Sequence, residues 1–149
     1  MTFIGIDPGA KGGWSIIHEN GDVESHIWDD VEFVECIRNL SLTSYKNCKC
    51  ALEKVGAMPK QGVVSTWHFA QSYGFIIGVL TSFEIPFQIV SPQAWKKSFG
   101  LINQDKTKSI ETAQRLYPGV SFLATNRSRK PSDGMAESLL IAEYARRHF

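Results

Sequence analysis

Apolar positions follow two rhythms along this chain, short runs near its start and longer three- and four-residue repeats after them. Phe3, Ile4 and Ile6 form the first run, closed by Pro8-Gly9 as a buried strand closes in a turn. Ala10 to Gly13 reads as a flexible turn, and Trp14 to Glu19 alternates as a second strand. Asn20-Gly21 is a strong two-residue hairpin signal that leads into a third strand over Val23–Trp28. Three antiparallel strands are the expected opening. From Asp29 to Leu42, Val31, Val34, Ile37 and Leu40 recur at three-residue steps. Acids at the start suit a helix dipole, so this stretch is predicted helical.

A short apolar strand is predicted over Cys48–Val55, with Glu53 directly after its hydrophobic run, and Gly56 to Gly62 is a loop. Val63–Phe83 then carries a long helical pattern through Val64, Trp67, Phe69, Tyr73, Phe75, Ile76, Val79 and Leu80, apolar over more than one face. Such a helix is either deeply buried or half of a contact between two copies. The contact is the expectation, and Gly74 and Gly78, four apart, would permit close helix approach. Pro86–Val90 is a further strand. Ser91-Pro92 has the form of an N-cap followed by proline at the first helical position. Asp105–Tyr117 is predicted helical and Pro118–Pro131 a loop, and Ser132 is placed to cap a last helix running to Arg146.

With 149 residues, 43% hydrophobic and 21% charged, the chain fits one domain spanning 1–149 with a core of its own. No apolar run approaches the roughly 20 residues of a membrane span and no basic-apolar-small leader opens the sequence, so a cytoplasmic protein is expected. The three cysteines are an odd set, and Cys48-Lys49-Cys50 lacks zinc-knuckle spacing. They are read as reduced and structural, with Cys48 and Cys50 on opposite faces of their strand. Charge is unevenly divided. Met1–Phe83 holds six Lys and Arg against nine Asp and Glu, net −3, and Glu84–Phe149 holds ten against six, net +4. A basic second half is compatible with a polyanionic partner. Lys11, Lys60, Lys96, Lys97, Arg127, Arg129 and Lys130 are the candidate contacts to a nucleic-acid backbone, with plain solubility as the competing explanation.

Four carboxylates stand at the ends of, or inside, segments that should be buried: Asp7, Glu53, Asp133 and Glu137. Singly, Asp7 fits a turn before Pro-Gly, Glu53 a strand rim, and Asp133 a helix's first turn. Glu137 is harder to explain, because it lies in apolar sequence with no basic residue three or four positions away. Asp133 and Glu137 share one helical face about 5–6 Å apart. Clustered without a counter-charge, four such acids are strongly unfavourable. Oxygen-only ligation suits Mg2+, with Mn2+ as a substitute, and two such ions can drive phosphodiester hydrolysis. The order of elements is that of an α/β, ribonuclease H-like fold, a five-stranded mixed sheet with its first three strands antiparallel, flanked by helices.

Ile4-Gly5-Ile6-Asp7-Pro8-Gly9 resembles the opening motif of the RuvC-type Holliday junction resolvases. Glu53 after a fourth strand and before a long helix matches that family's second acid. Ser91-Pro92-Gln93-Ala94-Trp95-Lys96-Lys97 resembles the segment after its fifth strand. Asp133-Gly134-Met135-Ala136-Glu137-Ser138-Leu139-Leu140-Ile141-Ala142 resembles its C-terminal acidic helix, in the version common among bacteriophage and prophage members. The resemblance covers nearly the whole chain. It implies a homodimer on four-way DNA junctions that cuts two opposing strands by metal-dependent hydrolysis and leaves 5′-phosphate and 3′-hydroxyl ends. Asp7, Glu53, Asp133 and Glu137 would be the catalytic metal ligands, and Lys130 or Lys11 a phosphate contact near the reaction.

The chain departs from that family in three places. Its last acid is Glu where Asp is usual, Asp133 stands four rather than three positions before it, and Lys54, Val55, Gly56 and Ala57 lack the aromatic that stacks at the junction in the bacterial enzymes. Met58 and Gln61 are the nearest candidates for that place. Sugar kinases and actin-like ATPases also open on a strand ending in Asp before a glycine-rich turn, but they need two lobes and a second Asp-Gly phosphate loop after a strand, whereas Asp133-Gly134 opens a helix. Another ribonuclease H-like nuclease, acting on RNA or branched DNA, and a junction-binding protein without catalysis are the nearer alternatives.

Overall fold

Strand β1 (Thr2–Asp7) lies at the middle of a five-stranded sheet and sets the faces of everything beside it. The computed structural model describes residues 1–44, 47–57 and 59–149, so Met58 lies outside the described residues. After β1 come β2 (Gly13–Ile17), β3 (Val23–Ile27), α1 (Asp30–Ser44), β4 (Cys48–Glu53), α2 (Val63–Ser82), β5 (Phe87–Val90), α3 (Pro92–Ser98), α4 (Lys106–Leu116) and α5 (Asp133–His148). The sheet order is β3-β2-β1-β4-β5. The first three strands are antiparallel, and β4 and β5 run parallel to β1. The expected α/β architecture, mixed sheet and antiparallel opening are therefore all present.

Alternation along the strands divides the core in two. Ile4 and Ile6 of β1, Trp14 and Ile16 of β2, and Cys48, Cys50 and Leu52 of β4 face α1 and α2, where they meet Phe33, Ile37, Leu40, Ile76 and Leu80. Phe3, Ile17, Ala51 and Val90 face the other way, onto α5 and the α3–α4 layer outside it. Cys48 and Cys50 thus share a face rather than opposing one another, because residues two apart in a strand point the same way. Both are buried.

One helix differs from its sequence pattern, and a second keeps an apolar side exposed. In α1 the buried stripe is Phe33, Ile37 and Leu40, with Val31 69% exposed, so the true period is three-to-four and starts from the aromatic. In α2, Ile76 and Leu80 are buried while Val63, Val64, Trp67 and Phe75 are exposed. The helix enclosed on nearly all sides is α5, buried at every position from Gly134 to Glu143. Its close seat depends on small residues. A Cβ on Gly5 would fall 2.1 Å from the Ser138 carbonyl oxygen, and one on Gly134 would fall 2.2 Å from that of Lys11. The Ser15 hydroxyl meets that of Ser138 at 2.7 Å, and the Ser25 hydroxyl donates to the Met135 carbonyl at 3.0 Å. These bonds fix the first half of α5 against β2 and β3, with the Ser132 hydroxyl capping it by accepting from the Met135 amide at 3.2 Å.

Candidate active site

The last residues of β1 and β4 bring the first two acids together. Parallel pairing matches Gly5 with Ala51 and Ile6 with Leu52, and Asp7 and Glu53 are the next residue on each strand. Both have the parity of Gly5 and Ala51, so both lie on the α5 side of the sheet. There the first turn of α5, held against the β1–β2 turn by Gly134, presents Asp133, and one turn later Glu137, which is only 7% exposed.

The electrostatics record the convergence. Burial pushes the Asp7 carboxyl up to about 8, with Glu53, Glu137 and Asp133 adding to the rise and Lys106 opposing it. Glu53 is raised as well, chiefly by burial and further by Glu137, against the Trp95 hydrogen bond and the charges of Lys96 and Lys106. All four sequence-predicted acids therefore share one electrostatic site. Among the described residues no three His, Cys, Asp or Glu side chains close to metal-ligating distance. An all-oxygen donor set whose members repel is nonetheless the chemistry that a hard divalent cation satisfies, and Asp7, Glu53, Asp133 and Glu137 are the residues that could hold one.

Three groups from α3 and α4 reach these acids, and sequence reasoning gave none of them a role. Lys106 bonds Asp133 through its ammonium, and that bond, together with the charges of Asp133, Glu137 and Asp7, holds its proton on above the ordinary lysine value. The Trp95 indole N–H donates to Glu53 Oε2 at 2.7 Å, and the Ser109 hydroxyl donates to Glu137 Oε1 at 3.1 Å. Lys106 was legible only as one basic residue in a helix. Its position follows from Asp105, which caps α4 through the Lys108 amide and so starts the helix with Lys106 beside α5.

The predicted basic residues divide by position. Lys96 stands 5.2 Å over the Trp95 ring and its charge reaches Glu53. The backbone of Lys11 abuts Gly134, which brings the β1–β2 turn to the start of α5, and its side chain is exposed. Lys60, Lys97, Arg127, Arg129 and Lys130 are at least partly exposed, and among the described residues no ion pair joins any of them to the four acids. A cavity of about 400 Å³ between β2, β3 and α1 is lined by His18, Glu24, His26 and Glu32 and lies on the opposite face of the sheet from the acids.

No protein-family model matches the chain, and no curated protein does. Solved structures do. Thermus thermophilus RuvC is 15% identical, with a TM-score of 0.54 over 95% of this chain and 91% of that one. The T. thermophilus RuvC in complex with a Holliday junction substrate is also 15% identical, with a TM-score of 0.58 over 99% and 97%. The chain has the fold of these proteins nearly end to end.

Proposed function

We propose that this chain is a metal-dependent, structure-selective DNA endonuclease, a single RuvC-like domain that resolves four-way junctions. One observation carries the reading: two strand ends and the first turns of one helix place Asp7, Glu53, Asp133 and Glu137 in a common, mutually repelling site. Carboxylates gathered so, at a cost of several kcal/mol if left unpaired, make sense as a cation site. The fold supports the reading, since its solved relatives include RuvC bound to a Holliday junction substrate.

In this mechanism Asp7, Glu53, Asp133 and Glu137 would hold two Mg2+ ions, or Mn2+ in their place. When bound, the metal supplies an activated water and charge stabilisation for the leaving oxygen of the phosphodiester. Lys106, an exposed ammonium on the rim beside Asp133, meets a phosphate oxygen of the strand being cut. Lys11 and Lys96 flank the same rim, and Lys60, Lys97, Arg127, Arg129 and Lys130 extend the basic surface along the DNA backbone. Cleavage leaves 5′-phosphate and 3′-hydroxyl ends. Two copies, joined through the exposed apolar side of α2, cut opposing strands symmetrically. A member of the phage-type branch would act in the cytoplasm of its bacterial host.

The test uses a labelled immobile four-way junction and a matched linear duplex, each with Mg2+, for wild type and Asp7→Asn. Paired symmetric nicks near the junction centre, lost in the variant while junction binding persists, support the reading. Binding without cutting by wild type replaces it with a structural junction-binding protein. Cutting of RNA or linear duplex keeps the acid site and changes the substrate.

A further inference from the structure

We infer that α3 and α4 form a positioning layer for the acids, in which Trp95 and Ser109 each hold one carboxylate oxygen and leave the other to a divalent cation. The inference rests on the nuclease reading above and adds two positioning residues to it.

Trp95 is fully buried, and its indole N–H is donor-only, so it needs one acceptor. That acceptor is Glu53 Oε2 at 2.7 Å, reached across 42 residues of sequence. Ser109 is 3% exposed at the fourth position of α4, where a serine can turn back to the carbonyls of its own helix. Its hydroxyl goes instead to Glu137 Oε1 on the neighbouring helix. Each donor is neutral. It removes rotational freedom from a carboxylate without cancelling the charge that a cation would use. Lys106 differs on that point, because it brings its own positive charge to Asp133.

The Ser109 bond also bears on the length of the last acid. Glutamate has one more rotatable bond than aspartate, and an unanchored longer side chain loses more entropy on binding a cation. With Oε1 held by Ser109, Glu137 is restrained before any ligand arrives. Partners of this kind around metal ligands typically change metal affinity or activity by about 10–100-fold when removed.

The experiment is calorimetric titration of Mn2+ into the metal-stripped full-length protein without DNA, alongside junction cleavage, for wild type, Ser109→Ala, Ser109→Thr, Trp95→Phe, Glu137→Asp and the Ser109→Ala/Glu137→Asp double variant. Ser109→Ala is expected to weaken Mn2+ binding about tenfold while staying folded at the titration temperature, and Ser109→Thr to restore it. In the Glu137→Asp background, whose carboxylate is one methylene shorter, Ser109→Ala is expected to have no further effect. Trp95→Phe is expected to lose about tenfold as well. If it fails to fold, the serine series decides alone. Wild-type Mn2+ affinity in Ser109→Ala, or equal effects of that change in the wild-type and Glu137→Asp backgrounds, overturns the inference and leaves the nuclease reading standing. A wild type that binds no Mn2+ and cuts no junction overturns both.

Discussion

The Lys106 ammonium on α4 bonds the Asp133 carboxylate in the first turn of α5, so a cation supplied by the chain itself stands among four acids. Its charge also reaches Asp7, Glu53 and Glu137. An internal ammonium and a divalent ion compete for the same negative field. Lys106→Ala is therefore expected to bind Mn2+ several-fold more tightly than wild type, measured by calorimetry at low ionic strength. Cleavage at saturating metal should fall by about tenfold or more, since the contact to the substrate phosphate is lost with the same side chain. Weaker Mn2+ binding in this variant would refute the competition.

Asp7 gives the metal-free protein a pH dependence with a definite sign. Its carboxyl titrates near 8 in the folded chain against an ordinary value of 3.8, so the folded state binds the extra proton between those limits. Stability then falls as pH rises from about 4 to about 8. At about 1.4 kcal/mol per unit over about four units, the loss reaches about 5 kcal/mol at the alkaline end. Asp7→Asn removes that dependence. In urea titrations with chelator present, the variant should match wild type below about pH 4 and exceed it by up to about 5 kcal/mol at pH 8. Equal stabilities at pH 8 would rule this out.

Much of this arrangement was legible before any coordinates. The two-residue period of β1 and β4 ends on Asp7 and Glu53, and the Ser132 cap fixes where α5 starts, so the fold and the four acids followed from local pattern. What local pattern could not supply was contact between segments far apart in sequence. Trp95 reads as an apolar residue in a short helix, and only the packing of α3 against α5 and β4 turns its N–H onto Glu53. Burial, too, is set by packing rather than by apolar content. The most apolar helix, α2, is half exposed, while α5, with Ser138 and Glu143 inside it, is enclosed because Gly5 and Ser15 let it sit against the sheet.

Glu143 is the polar exception that belongs to stability rather than to the site. It is 2% exposed, and burial alone would raise it. The Arg146, Tyr117 and Arg147 hydrogen bonds, at 2.6 to 2.8 Å, overcome that and bring it down to about 2. A lowered carboxyl contributes stability above its unfolded value, and that contribution is lost as pH falls from about 4.5 toward 2. Both arginines are partly exposed, so solvent screening reduces the sum. Glu143→Ala should cost about 2 kcal/mol at pH 7 by urea titration, less at pH 3, with cleavage per folded molecule unchanged. A larger effect at pH 3 than at pH 7 would contradict the assignment.

The exposed side of α2 tests the proposed pairing of two copies. Val64, Trp67, Phe75, Gly74 and Gly78 lie on solvent-facing turns of one helix, and a Cβ at either glycine meets open space. Trp67 alone leaves 65% of its surface in water, an uncommon exposure for so large a side chain. Glycines on such a face let a second helix approach closely, and apolar neighbours give the contact its energy. Wild type is expected to sediment as a dimer. Val64→Asp/Trp67→Glu places two charges in that contact and should give a monomer with wild-type far-ultraviolet circular dichroism. Because each copy carries its own acid set, the monomer is expected to keep its Mn2+ affinity while losing paired, symmetric nicks. A variant that still sediments as a dimer would move the interface to another surface, and a wild-type monomer would remove the paired-cut mechanism altogether.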